Sequence, residues 1–134
     1  MGTGHRRGQL GEDLATRLLQ AGGWTILGRN WRDGSREIDI VAAHEGILAF
    51  VEVKTRGCTD FGDPLEAITP RKRQEVERAA GAWLRSNGSA LRPRSGFPSI
   101  TFGVVRFDAV AVTLRPGRPP EIVHVEDAWR LDDP

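Results

Sequence analysis

Three residues have the types and spacing that metal-assisted phosphoester chemistry needs: Asp39, Glu52 and Lys54. The runs 36–43 and 47–54 read as strands joined through His44-Glu45-Gly46, a hairpin signal. A two-residue loop at Glu45-Gly46 pairs His44 with Ile47. The same register sets Asp39 opposite Glu52 and Glu37 opposite Lys54. Directly opposed side chains share a face, with Cβ atoms roughly 4.5–5.5 Å apart. Two carboxylates at that spacing repel unless a cation lies between them or one keeps its proton. Hard oxygen ligands suit Mg²⁺, with Mn²⁺ as a substitute. Lys54 points to the same side as Glu52, where it can hold a water or a phosphate oxygen. Acid-x-Lys near a strand end is commonly no more than a solvated edge pair. Glu52 stands apart because it interrupts a run, 47–53, that is otherwise apolar at both parities. Charges are rarely buried in such a place without a partner.

That run is therefore a strand buried on both faces and central in its sheet. Ahead of it, Leu10, Leu14, Leu18 and Leu19 recur at helical spacing over 8–22, with Gly22-Gly23 as the stop. Gly8 and Gly11 fall on the leucine side. Each costs a helix about 1 kcal/mol relative to Ala, which predicts close packing at both. Glu12 sits at the boundary of the stripe. Residues 24–29 read as a short strand, 30–35 as a turn around Asp33-Gly34, and 57–65 as a loop. Thr69 caps a second helix that opens with Pro70 and stops before Gly88. Its apolar stripe is Val76, Ala79, Ala80, Trp83 and Leu84. A Pro/Gly/Ser/Arg-rich connection follows over 89–98, then a strand over 102–114, a Pro-rich turn over 115–120 and a last strand over 121–125. This order predicts one α+β domain, a mixed central sheet flanked by helices.

The chain has 134 residues, and nineteen Lys plus Arg against eighteen Asp plus Glu leave a net charge of +1. The balance does not announce a nucleic-acid binder, so any basic surface must come from clustering. Arg71-Lys72-Arg73 is such a cluster, placed where a helix N-terminus already carries positive partial charge. Lys72, four residues before Val76, is aimed toward the sheet, and a docked phosphate would offset the repulsion. Arg6, Arg7, Arg56, Arg92 and Arg94 extend that surface along a duplex backbone. The plainer reading of the cluster is a solvated charge run.

Cys58, the one cysteine, suits a reducing cytosol and is read as incidental. His44 is read as a turn residue, and His5 and His124 lack ligand spacing. Arg106 and Asp108 are read as a structural cross-strand ion pair, and Trp24, Trp31, Trp83 and Trp129 as core or rim. No apolar run follows the basic N-terminus, Arg6 stands where a myristoylation motif needs Ser or Thr, and no stretch reaches membrane-span length. A cytoplasmic protein with no membrane partner and no small-molecule cofactor is expected.

Asp39, a hairpin and Glu52-Val53-Lys54 in that order resemble the signature of the PD-(D/E)XK nuclease superfamily. Beyond that core, Gly11-Glu12, Asn30, Glu37-Ile38-Asp39, the run from Phe50 to Arg56, Phe61-Gly62, Lys72 and Arg106-Phe107-Asp108 resemble the YraN-like family of small bacterial proteins. That family is similar in core to archaeal Holliday-junction resolvases. Arg36 departs from the Gly common before Glu37 but removes no ligand. The resemblance implies a restriction-endonuclease-like core in which Asp39, Glu52 and the Val53 carbonyl bind Mg²⁺. Lys54 would position or deprotonate the attacking water, and Glu12 would complete the site from the helix. Arg71, Lys72, Arg73 and Arg56 would contact DNA, the substrate being DNA phosphodiesters, branched or junction DNA included. Resolvase-like relatives work as dimers, which implies a homodimer. A nuclease-like module that binds nucleic acid or protein without cutting is the alternative. A small acid-metal phosphatase suits the basic groups less well.

Overall fold

The computed structural model describes residues 3–57, 62–87 and 103–131. Its centre is the apolar run, which forms β3 (Ile47–Gly57). On one side of β3 lie β2 (Arg36–His44) and β1 (Thr25–Asp33), and on the other β4 (Val104–Leu114) and β5 (Glu121–Trp129). All neighbours are antiparallel except β3 and β4. A parallel pair needs a long crossover, and the helix α2 (Pro70–Asn87) lies within it. A second helix, α1 (Thr3–Ala21), precedes the sheet. Alternate residues of β3 enter different cores. Leu48 and Phe50 pack with Val76, Ala79 and Trp83 of α2, whereas Ala49 and Val51 pack with Ala15 and Leu19 of α1. The result is a single α+β domain with a five-stranded mixed sheet between two helices. No described helix is long and apolar enough to cross a membrane.

Local chemistry sets these bounds. Glu45 (φ 48°) and Gly46 (φ 78°) both take the left-handed region that a two-residue hairpin turn requires, and His44 pairs with Ile47 as expected. Thr69 caps α2 through its Oγ1, which accepts the Lys72 N–H at 3.2 Å. A 3₁₀ turn over Pro64–Ala67 lies inside the expected loop, capped by the Asp63 carboxylate on the Leu65 N–H. Gly88, Cys58, Phe61 and the 89–98 connection with Arg92 and Arg94 lie outside the described residues, as does the side chain of His5.

Four expectations are corrected. β1 runs on to Asp33 instead of turning at Asn30, because Asn30 (φ 49°) breaks the alternation without ending the strand. β5 extends past residue 125 to Trp129, through a register shift near Asp127 (φ 52°). Arg106 and Asp108 do form an ion pair, but within one strand, through two contacts of 2.8 Å. The cross-strand partner of the fully buried Asp108 is His124, whose Nε2 lies 2.7 Å away, and the Asp127 N–H also donates to it at 2.9 Å. Burial alone would raise the Asp108 carboxyl; these hydrogen bonds hold it below its ordinary value.

The fourth correction concerns α1. Leu10 and Leu18 are 47% and 37% exposed, because the helix meets the sheet along Gly11, Ala15 and Leu19, one position off. A Cβ on Gly11 would lie 1.8 Å from Thr55 Oγ1 and 3.0 Å from Thr55 Cβ, so here a glycine is required. Gly8 has nothing within 4 Å and is not a packing glycine. Urea unfolding separates the two. Gly11→Ala should destabilise the protein by about 1–3 kcal/mol through overpacking, whereas Gly8→Ala should stabilise it by about 0.5–1 kcal/mol through helix propensity. Equal effects at both positions would contradict this contact.

Candidate metal centre

The β2–β3 ladder runs from the hairpin to Ile40↔Val51 and stops there. One residue further on, the Asp39 side chain replaces a backbone carbonyl, with Oδ2 accepting the Val53 N–H at 2.8 Å. The expected register is thus present up to the site, but Asp39 and Glu52 are not a ladder pair. The two strands part where the two like charges would have met. Glu37 and Lys54 do not pair either; Glu37 lies across β1 from Arg32, at 3.4 Å.

Glu52 lies in the face of β3 that packs on α2 and is only 8% exposed. Its Oε1 is 3.6 Å from Lys72 Nζ. Its Oε2 is buried and has no hydrogen-bond partner among the described residues. Burial, and then the neighbouring Asp39 charge, push the Glu52 carboxyl up to about 8. Burial likewise raises Asp39, although the Val53 N–H and Lys72 oppose the shift. Glu12 is raised by burial and by Asp39. Burial is the largest cause in all three, and the basic side chains nearby do not offset it.

Asp39 also faces α1. One carboxylate oxygen from each of Glu12, Glu37 and Asp39 lies within 4.8 Å of the others. Glu12 and Glu37 open onto a cleft of about 650 Å³ lined also by Gly8, Arg29, Asn30 and Arg32. Asp39 therefore links Glu52, on the α2 side, with Glu12 and Glu37, on the α1 side. Four carboxylates with one orphaned buried oxygen are a donor set of the kind hard divalent cations take. Glu37 was not among the candidate ligands, yet Glu37-Ile38-Asp39 carried the signal, since alternate strand residues share a side.

The basic residues divide. Lys72 points at the sheet as its place before Val76 implied, and it reaches Glu52. Arg71 is exposed, 3.7 Å from Glu75. Arg73 donates to the Ile68 carbonyl at 3.0 Å and lies over the Trp129 ring. Arg56 donates to the Gly62 carbonyl and reaches Thr113 Oγ1. Lys54 is exposed, and its side chain makes no hydrogen bond or ion pair among the described residues. Arg6 and Arg7 are exposed on α1.

Residues 11–112 match the family described as Uncharacterised protein family UPF0102. A UPF0102 protein of Oleidesulfovibrio alaskensis is 46% identical over 85% of this chain, which spans only 50% of that longer relative. One from Acidothermus cellulolyticus is 43% identical, covering 91% of this chain and 92% of its own length. One from Rhodococcus jostii is 41% identical, covering 91% and 94%. The matched span takes in Glu12, Glu37, Asp39, Glu52, Lys54 and Lys72.

The Glu52 shift has a direct consequence for stability. Between its ordinary value of 4.5 and about 8, the native chain keeps a proton that the unfolded chain has lost. Stability of the metal-free protein should therefore fall as pH rises through that window, with a slope approaching about 1.4 kcal/mol per pH unit. Glu52→Gln has no such proton to lose, so it should melt higher than the native protein at pH 8 and decline less steeply. Parallel pH profiles for the two proteins would show that Glu52 is not the source.

Proposed function

The chain belongs to the uncharacterised protein family UPF0102, and we propose that it is a metal-dependent endonuclease-like protein that hydrolyses DNA phosphodiesters, branched or junction DNA among them. The observation that carries the reading is the buried, partnerless Glu52 Oε2 beside Asp39, at the point where β2 leaves β3. A buried carboxylate oxygen without a donor is costly, and a divalent cation is the partner that also relieves the repulsion from Asp39.

Asp39, Glu52 and the Val53 carbonyl would hold Mg²⁺ or Mn²⁺, with Glu12 from α1 and Glu37 from β2 completing the set. The cation there would neutralise charge on a phosphoryl oxygen and acidify a water for in-line attack. Lys54, on the Glu52 face, positions or deprotonates that water. Lys72 steadies Glu52 and, with Arg71, meets the backbone phosphates from the N-terminus of α2; Arg73 and Arg56 flank it. Two copies related by a twofold axis would offer two such sites to a symmetric junction. A single cysteine and no described membrane-crossing helix fit a cytoplasmic setting.

One observation favours a second reading, a module that binds nucleic acid or protein without cutting. The lysine in contact with Glu52 is Lys72, while Lys54 stands free of the site's acids among the described residues.

The deciding experiment screens linear, nicked, flapped and four-way DNA for cleavage with Mg²⁺ or Mn²⁺. The native protein should cut at least one form, and Asp39→Ala none. Lys54→Ala should lower kcat by about 10²-fold or more while leaving most DNA affinity, as expected of a group that acts on the attacking water. Cation should also raise the native melting temperature but not that of Asp39→Asn. Tight DNA binding with every form left intact would favour the non-cutting module.

A further inference from the structure

Each acid around Asp39 is already matched with a basic side chain. Lys72 is 3.6 Å from Glu52, and Arg32 is 3.4 Å from Glu37. Arg29 is 4.0 Å from Glu12 and 2.7 Å from the adjoining Asp13. Two of these three cations come from β1, three positions apart. In an unbroken strand, residues 29 and 32 would face opposite ways. The left-handed Asn30 (φ 49°) breaks the alternation between them, and both arginines line the one cleft with Glu12 and Glu37. Asn30 itself lines that cleft with Glu12, which ties the break to the acids.

We propose that Arg32 is a phosphate ligand on the β1 side of the cleft, held by Glu37 in the cation-free chain and released to a nucleic-acid backbone when a divalent cation takes that carboxylate, while Arg29 beside it stays on Asp13. The proposal rests on the reading that this acidic cluster binds such a cation. Three carboxylate oxygens within 4.8 Å of one another favour a small dication over separate guanidinium groups. The Arg32 side chain is 73% exposed, and an exposed ion pair holds it only weakly. Once its acid is taken, its planar fork matches a phosphate in two-point contact. The cleft, carrying more acids than bases before cation binding, would then present Arg32 beside a neutralised cluster. This is a surface for a phosphodiester backbone, and it lies on the opposite side of the sheet from Lys72.

The test measures affinity for a short random-sequence DNA duplex as a function of salt, in Ca²⁺ and again in chelator. Ca²⁺ serves as the probe because it is a hard cation bound by carboxylates. In Ca²⁺, Arg32→Gln should weaken binding severalfold and flatten the salt slope by about one, and Arg29→Gln, whose guanidinium is held by Asp13, should lose less. In chelator, both variants should match the native protein. Arg118→Gln, exposed in the β4–β5 turn, should change neither condition. Arg32, mostly exposed, keeps the comparison decisive should Arg29→Gln fail to fold. Arg32→Gln indistinguishable from native in Ca²⁺ overturns the proposal while leaving the metal centre intact. An equal loss in Ca²⁺ and in chelator overturns the exchange, since Arg32 would then reach phosphate without it. Calorimetry showing that the native protein binds neither Ca²⁺ nor Mg²⁺ removes the metal reading itself, and the proposal with it.

Discussion

The structure turns on one substitution of partners: at the end of the β2–β3 ladder, the Asp39 carboxylate takes the Val53 N–H that a backbone carbonyl would otherwise accept. It lets β2 leave β3 without orphaning a buried donor, an event that would cost about 1–3 kcal/mol. It also pins Asp39 next to Glu52 and within reach of Glu12 on the helix α1. An ordinary ladder pair would have set two carboxylates face to face and closed the gap between the strands. The departure creates the opening in which four acids converge, and those acids are what the fold must tolerate. The raised carboxyl values of Glu12, Asp39 and Glu52 measure that tension.

The two cores hold this opening from either side. On one face, Val76 and Trp83 of α2 clamp Leu48 and Phe50, and Lys72, one turn before Val76, reaches Glu52 from the half-exposed end of the helix. On the other, Gly11 lets α1 approach Thr55 closely, and that approach delivers Glu12 to Asp39. At the far end of the sheet, the buried Asp108 gathers Arg106, His124 and the Asp127 N–H and ties β4 to β5. It is a buried charge too, but one with every requirement met, and its carboxyl is lowered where that of Glu52 is raised. The same residue class in the same sheet therefore behaves oppositely, according to whether donors surround it.

Much of this was legible in the sequence wherever the signal was local. The two-residue hairpin fixed the register, Thr69-Pro70 fixed the start of α2, and the apolar run made β3 central. Side chains separated by strand alternation or by one helical turn could also be placed, hence Glu52 and Lys72. What escaped were departures from regularity. A left-handed Asn30 reads as a turn because Asn favours that conformation in either setting. The bulge at Asp127 looks like a strand end for the same kind of reason. Leu10 and Leu18 mark a stripe by type, but Gly11, Ala15 and Leu19 make the contact, since small residues allow a helix to sit closer than leucines do. Glu37 was hidden by its assumed partner: the register that opposed it to Lys54 holds only as far as Ile40.

A net charge of +1 does not announce a nucleic-acid partner, but it is a whole-chain sum and says little about any one surface. Glu12, Glu37, Asp39 and Glu52 are four of the eighteen acids that enter that sum, gathered in one small region, and Arg29, Arg32 and Lys72 stand beside them. Under the proposed reading, a dication enters that region, and the acids cease to count against a polyanion. The surface it then presents carries the charge of its arginines and lysines, not of the chain as a whole. Charge that a polyanion meets is local and set by what else is bound, because screening confines it to about a Debye length, roughly 8 Å at physiological salt. A chain can therefore be nearly neutral in sum and still be built to hold a phosphate backbone.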